Sequence, residues 1–284
     1  MAGPSALNTA LRKLSGHYRT YVASWFVCDD VPSDVSVTLL VPLAPKDLQR
    51  ARRSIPQTLA TLAHPVDRVV VVSPENAAIQ AFCREAGFHW LDELEPLSDL
   101  CGADTARDMN GWIRQQMLKM MAPEVTGADR VIAFDSDTFP LRRTRFMDDR
   151  GRTILYTGER TNEPYDRFTW RLTGLPAYSG KTFIAHCMLF QRRELEALRR
   201  LIEDLHGKPW HQAVLELVGQ PMSQAGVMSE FEIFGTFMCR TRPERVALRH
   251  RANVKISEHR FLDTTPLTGA IRRFRFASSH IHGG

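Results

Sequence analysis

Val131-Ile132-Ala133-Phe134-Asp135-Ser136-Asp137-Thr138-Phe139-Pro140 is the stretch whose reading decides the fold. Four apolar residues run into two aspartates and a proline. A short apolar run closed by a turn is the pattern of a strand buried in a parallel sheet. Residues i and i+2 of an extended chain share a side, so Asp135 and Asp137 aim two carboxylates at one point past the strand's carboxyl end. Ligands of open α/β sheets bind at that edge. Two converging carboxylates repel unless a cation lies between them, and a divalent ion that also takes up substrate phosphates meets the need. Asp, Ser, Thr and Pro build ordinary loops as well. The apolar run before them and the mid-chain position favour ion and phosphate binding.

Upstream, Val35 to Val41 reads as a first strand, stopped by Pro42-Leu43-Ala44-Pro45. Asp47 caps a helix from Leu48 to Leu62, with Leu48, Ala51, Ile55, Leu59 and Leu62 on one face and Pro56 as a bend or interruption. Val69 to Val72 is a second buried strand, Glu75 to Ala86 a helix ended by Gly87, and Phe88 to Leu91 a third strand. This alternation predicts an α/β fold with a mostly parallel central sheet flanked by helices. No G-x-G-x-x-G follows Val41 and no G-x-x-x-x-G-K-[ST] occurs, which disfavours a Rossmann dehydrogenase or a P-loop enzyme. A diphosphate bound here would need a metal and basic side chains. Residues 95–110 read as a polar loop at the same edge. A helix from Trp112 to Met121 follows, apolar through Ile113, Met117, Met120 and Met121, with Arg114, Gln115 and Lys119 on its other faces.

Downstream, Thr153 to Thr157 reads as a strand and residues 158–176 as a long irregular binding loop. Thr182 to Phe190 is an apolar strand, and Arg192 to His206 and Trp210 to Val218 are helices. Ser229-Glu230-Phe231-Glu232 has the form of a capping box, with Ser229 as N-cap and Glu232 at N3. Glu230 has no such local duty, and its charge is favoured at a helix start. Val246 to Arg249 and Phe274 to Ala277 are late strands, before Ser278-Ser279-His280-Ile281-His282-Gly283-Gly284.

The 284 residues are 43% hydrophobic and 24% charged, the balance of a soluble globular protein. No apolar run is long enough to cross a bilayer. Arg12 and Lys13 are followed by no apolar core, so no secretory signal is expected. The five scattered cysteines contain no C-x-x-C, which argues against a disulfide framework or structural zinc and for a reducing cytosol. The net charge of +5 is concentrated in clusters at Arg50, Arg52 and Arg53, at Arg142, Arg143 and Arg145, and at Arg272, Arg273 and Arg275. Such a balance suits an anionic substrate or an acidic membrane face. No nucleic-acid motif is present.

The apolar strand, F-D-S-D-T-F-P and the late H-x-H-G resemble a GT-A nucleotide-sugar glycosyltransferase of the galactosyl- and glucosyltransferase-like branch. The resemblance covers roughly residues 35–284 as element order. It implies an N-terminal lead-in, 1–34, and one catalytic domain, 35–284, with a nucleotide-binding half (35–140) and an acceptor-binding half (141–284). It further implies that Asp135 and Asp137 hold Mn2+ or Mg2+ on the donor diphosphate, a UDP-sugar being favoured. A late histidine completes the metal shell in that family. His280 and His282 are the candidates, His282 beside Gly283 being the closer fit. The family's N-A-G-V-M-L-F strand is similar to Ile184-Ala185-His186-Cys187-Met188-Leu189-Phe190, with His186 where the family has glycine. The family's basic helix is matched by Arg114 and Lys119. Asp47, Ser136 and His186 complete the expected donor-binding set. Ser229 to Gly235 resembles the S-E-x-E-x-x-G of uncharacterised bacterial GT-A-like proteins. An inverting enzyme needs a carboxylate to deprotonate the acceptor hydroxyl, and Glu230 is the first candidate, Glu232 the second. The acceptor would be a saccharide or glycolipid of bacterial polysaccharide or glycolipid synthesis. The protein would work in the cytosol, in peripheral contact with an anionic membrane face. A haloacid-dehalogenase-like phosphatase is the rival enzyme, but that motif needs Thr or Val where Phe139 stands. An inactive sugar-nucleotide-binding protein is the non-enzymatic rival, and decayed sites tend to lose metal ligands.

Overall fold

The computed structural model describes residues 18–19, 21–159, 163–178, 180–219, 228–263 and 273–279. Its first half alternates strand and helix: β1 (Val37–Pro42), α1 (Leu48–Thr61), β2 (Val66–Ser73), α2 (Ala77–Ala86) and β3 (His89–Asp92). Asn76 caps α2, its side chain accepting from the N–H groups of Ala78 and Ile79, and Gly87 ends it at φ 70°, where glycine carries no Cβ penalty. α1 runs on through Pro56. Where a polar loop was expected, α3 (Leu94–Cys101) and α4 (Ala103–Asp108) form instead. They are followed by α5 (Gly111–Met120), α6 (Ala122–Thr126) and the decisive strand β4 (Arg130–Phe134).

After β4 come β5 (Thr138–Pro140), β6 (Thr153–Glu159) and α7 (Glu163–Thr173). The last is a second correction, since an irregular segment was expected there. Tyr165, Phe168, Thr169, Leu172 and Thr173 are its buried residues, spaced as one face of a helix. The strand expected from Thr182 to Phe190 is two strands, β7 (Lys181–Thr182) and β8 (Cys187–Gln191), parted by a turn at His186. Then come α8 (Arg192–His206), α9 (Trp210–Val218), α10 (Glu230–Thr241), β9 (Val246–His250), β10 (Asn253–Lys255), α11 (Glu258–Leu262) and β11 (Phe276–Ser278).

The central sheet has the order β3-β2-β1-β4-β8. β3, β2, β1 and β4 are parallel, and β8 is antiparallel to β4. From β1 the chain builds outward through β2 and β3, then crosses back to lay β4 on the other side. Order reverses between β1 and β4, and a crevice opens at such a switch point. Both faces of the sheet are covered. Leu40, Val70, Val72, Val131 and Ala133 face one core, while Leu39, Val41, Val69, Val71 and Ile132 face the other. This is the period-two division of strands buried on both sides. Each fully buried Leu or Val contributes roughly 1.5–3 kcal/mol. Among the described residues there are two smaller sheets, β10-β11-β5 and β7-β6-β9.

Candidate active site

β4 delivers Asp135 to the switch point. The Asp135 N–H donates to the carbonyl of His186 at 2.9 Å, one step beyond the last β4–β8 pair, and the Thr138 N–H returns to the Asp135 carbonyl at 3.1 Å. Asp135 to Thr138 is therefore a β-turn rather than a continued strand. The expected convergence holds all the same. One ligand atom each of Asp135, Asp137 and His186 lies within 4.8 Å of the others, and all three side chains are partly exposed. His186 Nδ1 is 3.1 Å from Asp135 Oδ2. Adjacent donors on an octahedral ion with bonds of about 2.1 Å stand about 3 Å apart. Two carboxylates and an imidazole are a donor set for Mn2+ or a like ion, so the residues present fit the ion the resemblance implies.

The backbone of His186 has φ 62°, the left-handed region that costs a non-glycine residue on the order of 1–3 kcal/mol and clusters at functional sites. Sequence reasoning placed His186 with the donor-binding residues. The structure puts it beside the two aspartates, where it offers a third atom that could hold a metal ion. The signal was a histidine standing where the similar family strand has glycine.

Below the aspartates lies Lys119, on the last turn of α5 and 2% exposed. Its Nζ is 2.5 Å from Asp135 Oδ1 and 2.8 Å from Glu230 Oε1, and it lies 4.6 Å from the centroid of the Phe231 ring. Burial acts to lower the Lys119 pKa, but the charges of Asp135 and Glu230 outweigh it and hold the ammonium protonated. Burial likewise acts to raise the Asp135 pKa, yet Lys119 and then His186 hold it well below the ordinary carboxylate range. Glu230 is pushed up, first by burial and further by Asp135, with Lys119 opposing. Breaking a buried group of this kind by removing one member costs about 3–5 kcal/mol.

Ser229 caps α10 as expected, its hydroxyl accepting from the Glu232 N–H at 3.4 Å. Glu232 Oε1 accepts from Thr182 Oγ1 and, at 3.3 Å, from the Phe183 N–H. Glu230 and Glu232 are 1% and 2% exposed, so each faces a protein partner within the core rather than the open crevice.

Asp47 stands past the end of β1. Burial raises its pKa, Arg50 and Lys46 oppose, and Asp137 adds to the rise, so the two carboxylates feel each other across the crevice. Asp47 pairs with Arg50 at 2.5 Å. Arg114 is at the same sheet edge but further along, donating to Glu93 at 2.5 Å and to the Arg107 carbonyl at 3.0 Å. Ser136, inside the turn, is buried. His280 and His282 lie outside the described residues. Ser279, the last described residue, donates its N–H to the Asp137 carbonyl at 2.9 Å. Arg251 was missed. It bonds the Ile184 carbonyl through Nη1, and burial lowers its pKa against the charge of Glu232. No local sequence signal marks it.

One family model matches residues 42–262, and that family is described as one of unknown function, DUF6492. No curated protein matches the sequence. Among solved structures, the apo crystal structure of mouse Xyloside xylosyltransferase 1 is similar at 15% identity and a TM-score of 0.45. The similarity covers 86% of this chain and 98% of that one.

Proposed function

We propose that the chain, which belongs to the DUF6492 family, is a metal-dependent glycosyltransferase that moves a sugar from a nucleoside-diphospho-sugar to a hydroxyl of a saccharide or glycolipid. The observation that carries this reading is the meeting of Asp135, Asp137 and His186 at the β1–β4 switch point, with a buried lysine behind them and no glycine loop to cradle phosphate. A bound Mn2+ or Mg2+ would supply Lewis-acid stabilisation of the charge that develops on the leaving diphosphate. Asp135 and Asp137 orient that group, with His186 and the late His280 or His282 as further ligands. Lys119 fixes Asp135 in its charged form. Asp47, on the opposite lip, faces the nucleoside end of a donor laid across the crevice, and UDP is the nucleotide the family resemblance favours.

A phosphatase built on the same aspartates needs Thr or Val at position 139. Phe139 is 1% exposed and packs on Phe261 at 4.9 Å. The deciding experiment is a thermal-shift panel of nucleoside diphosphates and their sugars, with and without Mn2+. A metal-dependent shift with one nucleotide supports the reading, and no shift with any of them sinks it. A colourless p-nitrophenyl phosphate assay with Mg2+ removes the phosphatase.

Among the described residues no helix is long and apolar enough to cross a membrane. Tyr18, Trp25 and Phe26 are nonetheless exposed, and Arg273 stacks on Trp25 at 5.2 Å. Aromatic and basic residues together suit the headgroup region of an anionic bilayer. Peripheral docking there belongs to the same proposal, and failure to float with anionic liposomes at low salt removes it.

A further inference from the structure

We infer that the turn Ser229–Glu232 is the positioning element of the metal site: Glu230 sets Asp135 through Lys119, and Glu232 sets His186 through the segment 182–184. The inference rests on the divalent-ion reading above and assigns these two carboxylates a role other than acceptor base.

The geometry begins at the N-cap. With Ser229 holding the first turn, residues 230 and 232 are two steps of about 100° apart around the helix axis. Their side chains therefore leave α10 on nearly opposite sides. One side meets Lys119 on α5, the other meets Thr182 at the end of β7. Neither glutamate is among the converging ligand atoms, which are those of Asp135, Asp137 and His186.

On the Asp135 side, Lys119 divides one ammonium between two acids, at 2.5 Å and 2.8 Å. Glu230 draws part of that charge toward the core. Asp135 is thereby left with Oδ1 anchored and Oδ2 turned to His186. With a neutral group at 230, the ammonium would commit to Asp135 and compete with an incoming ion.

On the His186 side, Glu232 holds Thr182 and Phe183, and Arg251 holds the Ile184 carbonyl. Residues 182 to 184 are thus fixed, and only Ala185 separates them from His186, whose backbone has φ 62°. A strained backbone persists only where its surroundings over-determine it. Gly235, one turn along α10, belongs to the same device. A Cβ there would meet Phe183 Cγ at 2.2 Å, so the missing side chain lets the segment lie against the helix. The motif S-E-x-E-x-x-G accordingly encodes a cap, two arms and a seat.

The test uses the full chain and Mn2+ alone, by isothermal titration and pulsed electron paramagnetic resonance, with melting curves as controls. All variants are made in a His280→Ala/His282→Ala background, which leaves His186 as the one imidazole of the proposed ligand set; that parent should show 14N modulation from a bound imidazole, and His186→Ala should abolish it. Glu230→Gln and Glu232→Gln should each weaken Mn2+ binding by about 10–100-fold, the usual range for groups that orient ligands. Glu232→Gln should also lose the 14N signal, whereas Glu230→Gln should keep it. If Glu232→Gln melts too low to titrate, Thr182→Val removes only the hydroxyl donor and should lose the same signal. If the parent binds Mn2+ with a 14N signal and the glutamine variants bind it equally well, the positioning role falls and the metal site stands. If the wild type takes up no Mn2+, both fall together.

Discussion

Helix α10 has a buried glutamate system at each end, and the two are built on different plans. At its start, one lysine is shared between Glu230 and Asp135, and the second oxygen of Asp135 turns to a strained histidine in an open crevice. Past its finish, Arg242 and Arg245 reach Glu194 at 3.1 and 2.9 Å, with Arg193 at 3.0 Å. Glu194 opens α8 at the opposite edge of the central sheet and is 1% exposed. Three guanidinium groups close around one acid there, and the arrangement is a knot that ties α8 to α10. At the near end negative charge exceeds positive and the backbone is strained. A buried ion pair therefore does not mark chemistry by itself. The mark is a charge surplus left facing a cleft, with strain held in place around it.

Substitutions at the two ends should separate function from stability. The widest contrast is expected in turnover. Asp137→Ala should lower Mn2+-dependent donor turnover by roughly 10²–10³-fold, as losing one preorganised charge-stabilising group does, with its melting temperature nearly unchanged. Glu194→Gln should turn over donor like wild type, and a loss of turnover there would erase the distinction. In urea titrations Lys119→Met should lose about 3–5 kcal/mol, because the buried Glu230 carboxylate loses its cation and is left facing Asp135. Adding Glu230→Met should recover part of it, and a single variant as stable as wild type would show that the lysine is dispensable to the core. Glu194→Gln should cost less, about 1–3 kcal/mol, since its arginines are a quarter or more exposed and can return to water. Gly235→Ala, midway along the helix, should cost about 1–3 kcal/mol from overpacking on Phe183 and weaken Mn2+ binding with it.

The smallest effect concerns pH and lies outside both ends. His64 Nε2 accepts the Phe146 N–H at 2.9 Å, so Nδ1 carries the proton given to the Val35 carbonyl at 3.0 Å. Burial lowers the His64 pKa, against the Val35 bond, with Arg145 lowering and Asp30 raising it. The folded imidazole takes a proton less readily than the unfolded one. Its contribution is therefore complete above about pH 6.5 and declines as the pH falls below that. Urea titrations across this range should show a slope that His64→Gln flattens.

The first half of the fold was legible because its strands are apolar runs buried on both faces. β1, β2 and β4 announce themselves through Val, Leu and Ile, and Gly87 ends α2 as expected, whereas the helix expected from Glu75 begins at Ala77 behind the Asn76 cap. α7 was not legible because charged residues lie between Tyr165, Phe168 and Leu172, and the segment reads as polar. Within the site, Asp135 and Asp137 were legible from the apolar run before them, although they meet through a turn and not along an extended strand. The break before β8 was not, because nothing in an apolar run signals one residue with positive φ. Glu232 shows how local reasoning stops short. Its sequence neighbours predict a bond back to the helix start, while its side chain is engaged by Thr182, 50 residues away.

The pairing of β11 with β5, which brings the Ser279 N–H onto the Asp137 carbonyl, has a consequence for synthesis. The aspartate turn leaves the ribosome at mid-chain. Lys119 is already made, but Glu230 and β11 arrive later, β11 on the order of ten seconds later at ordinary elongation rates. Until then Asp135 has Lys119 beside it, but the turn lacks the Ser279 contact to the Asp137 carbonyl, although β1, β2 and β3 are complete. A stalled translation product ending before β11 would thus possess the sheet and lack the finished mouth of the crevice.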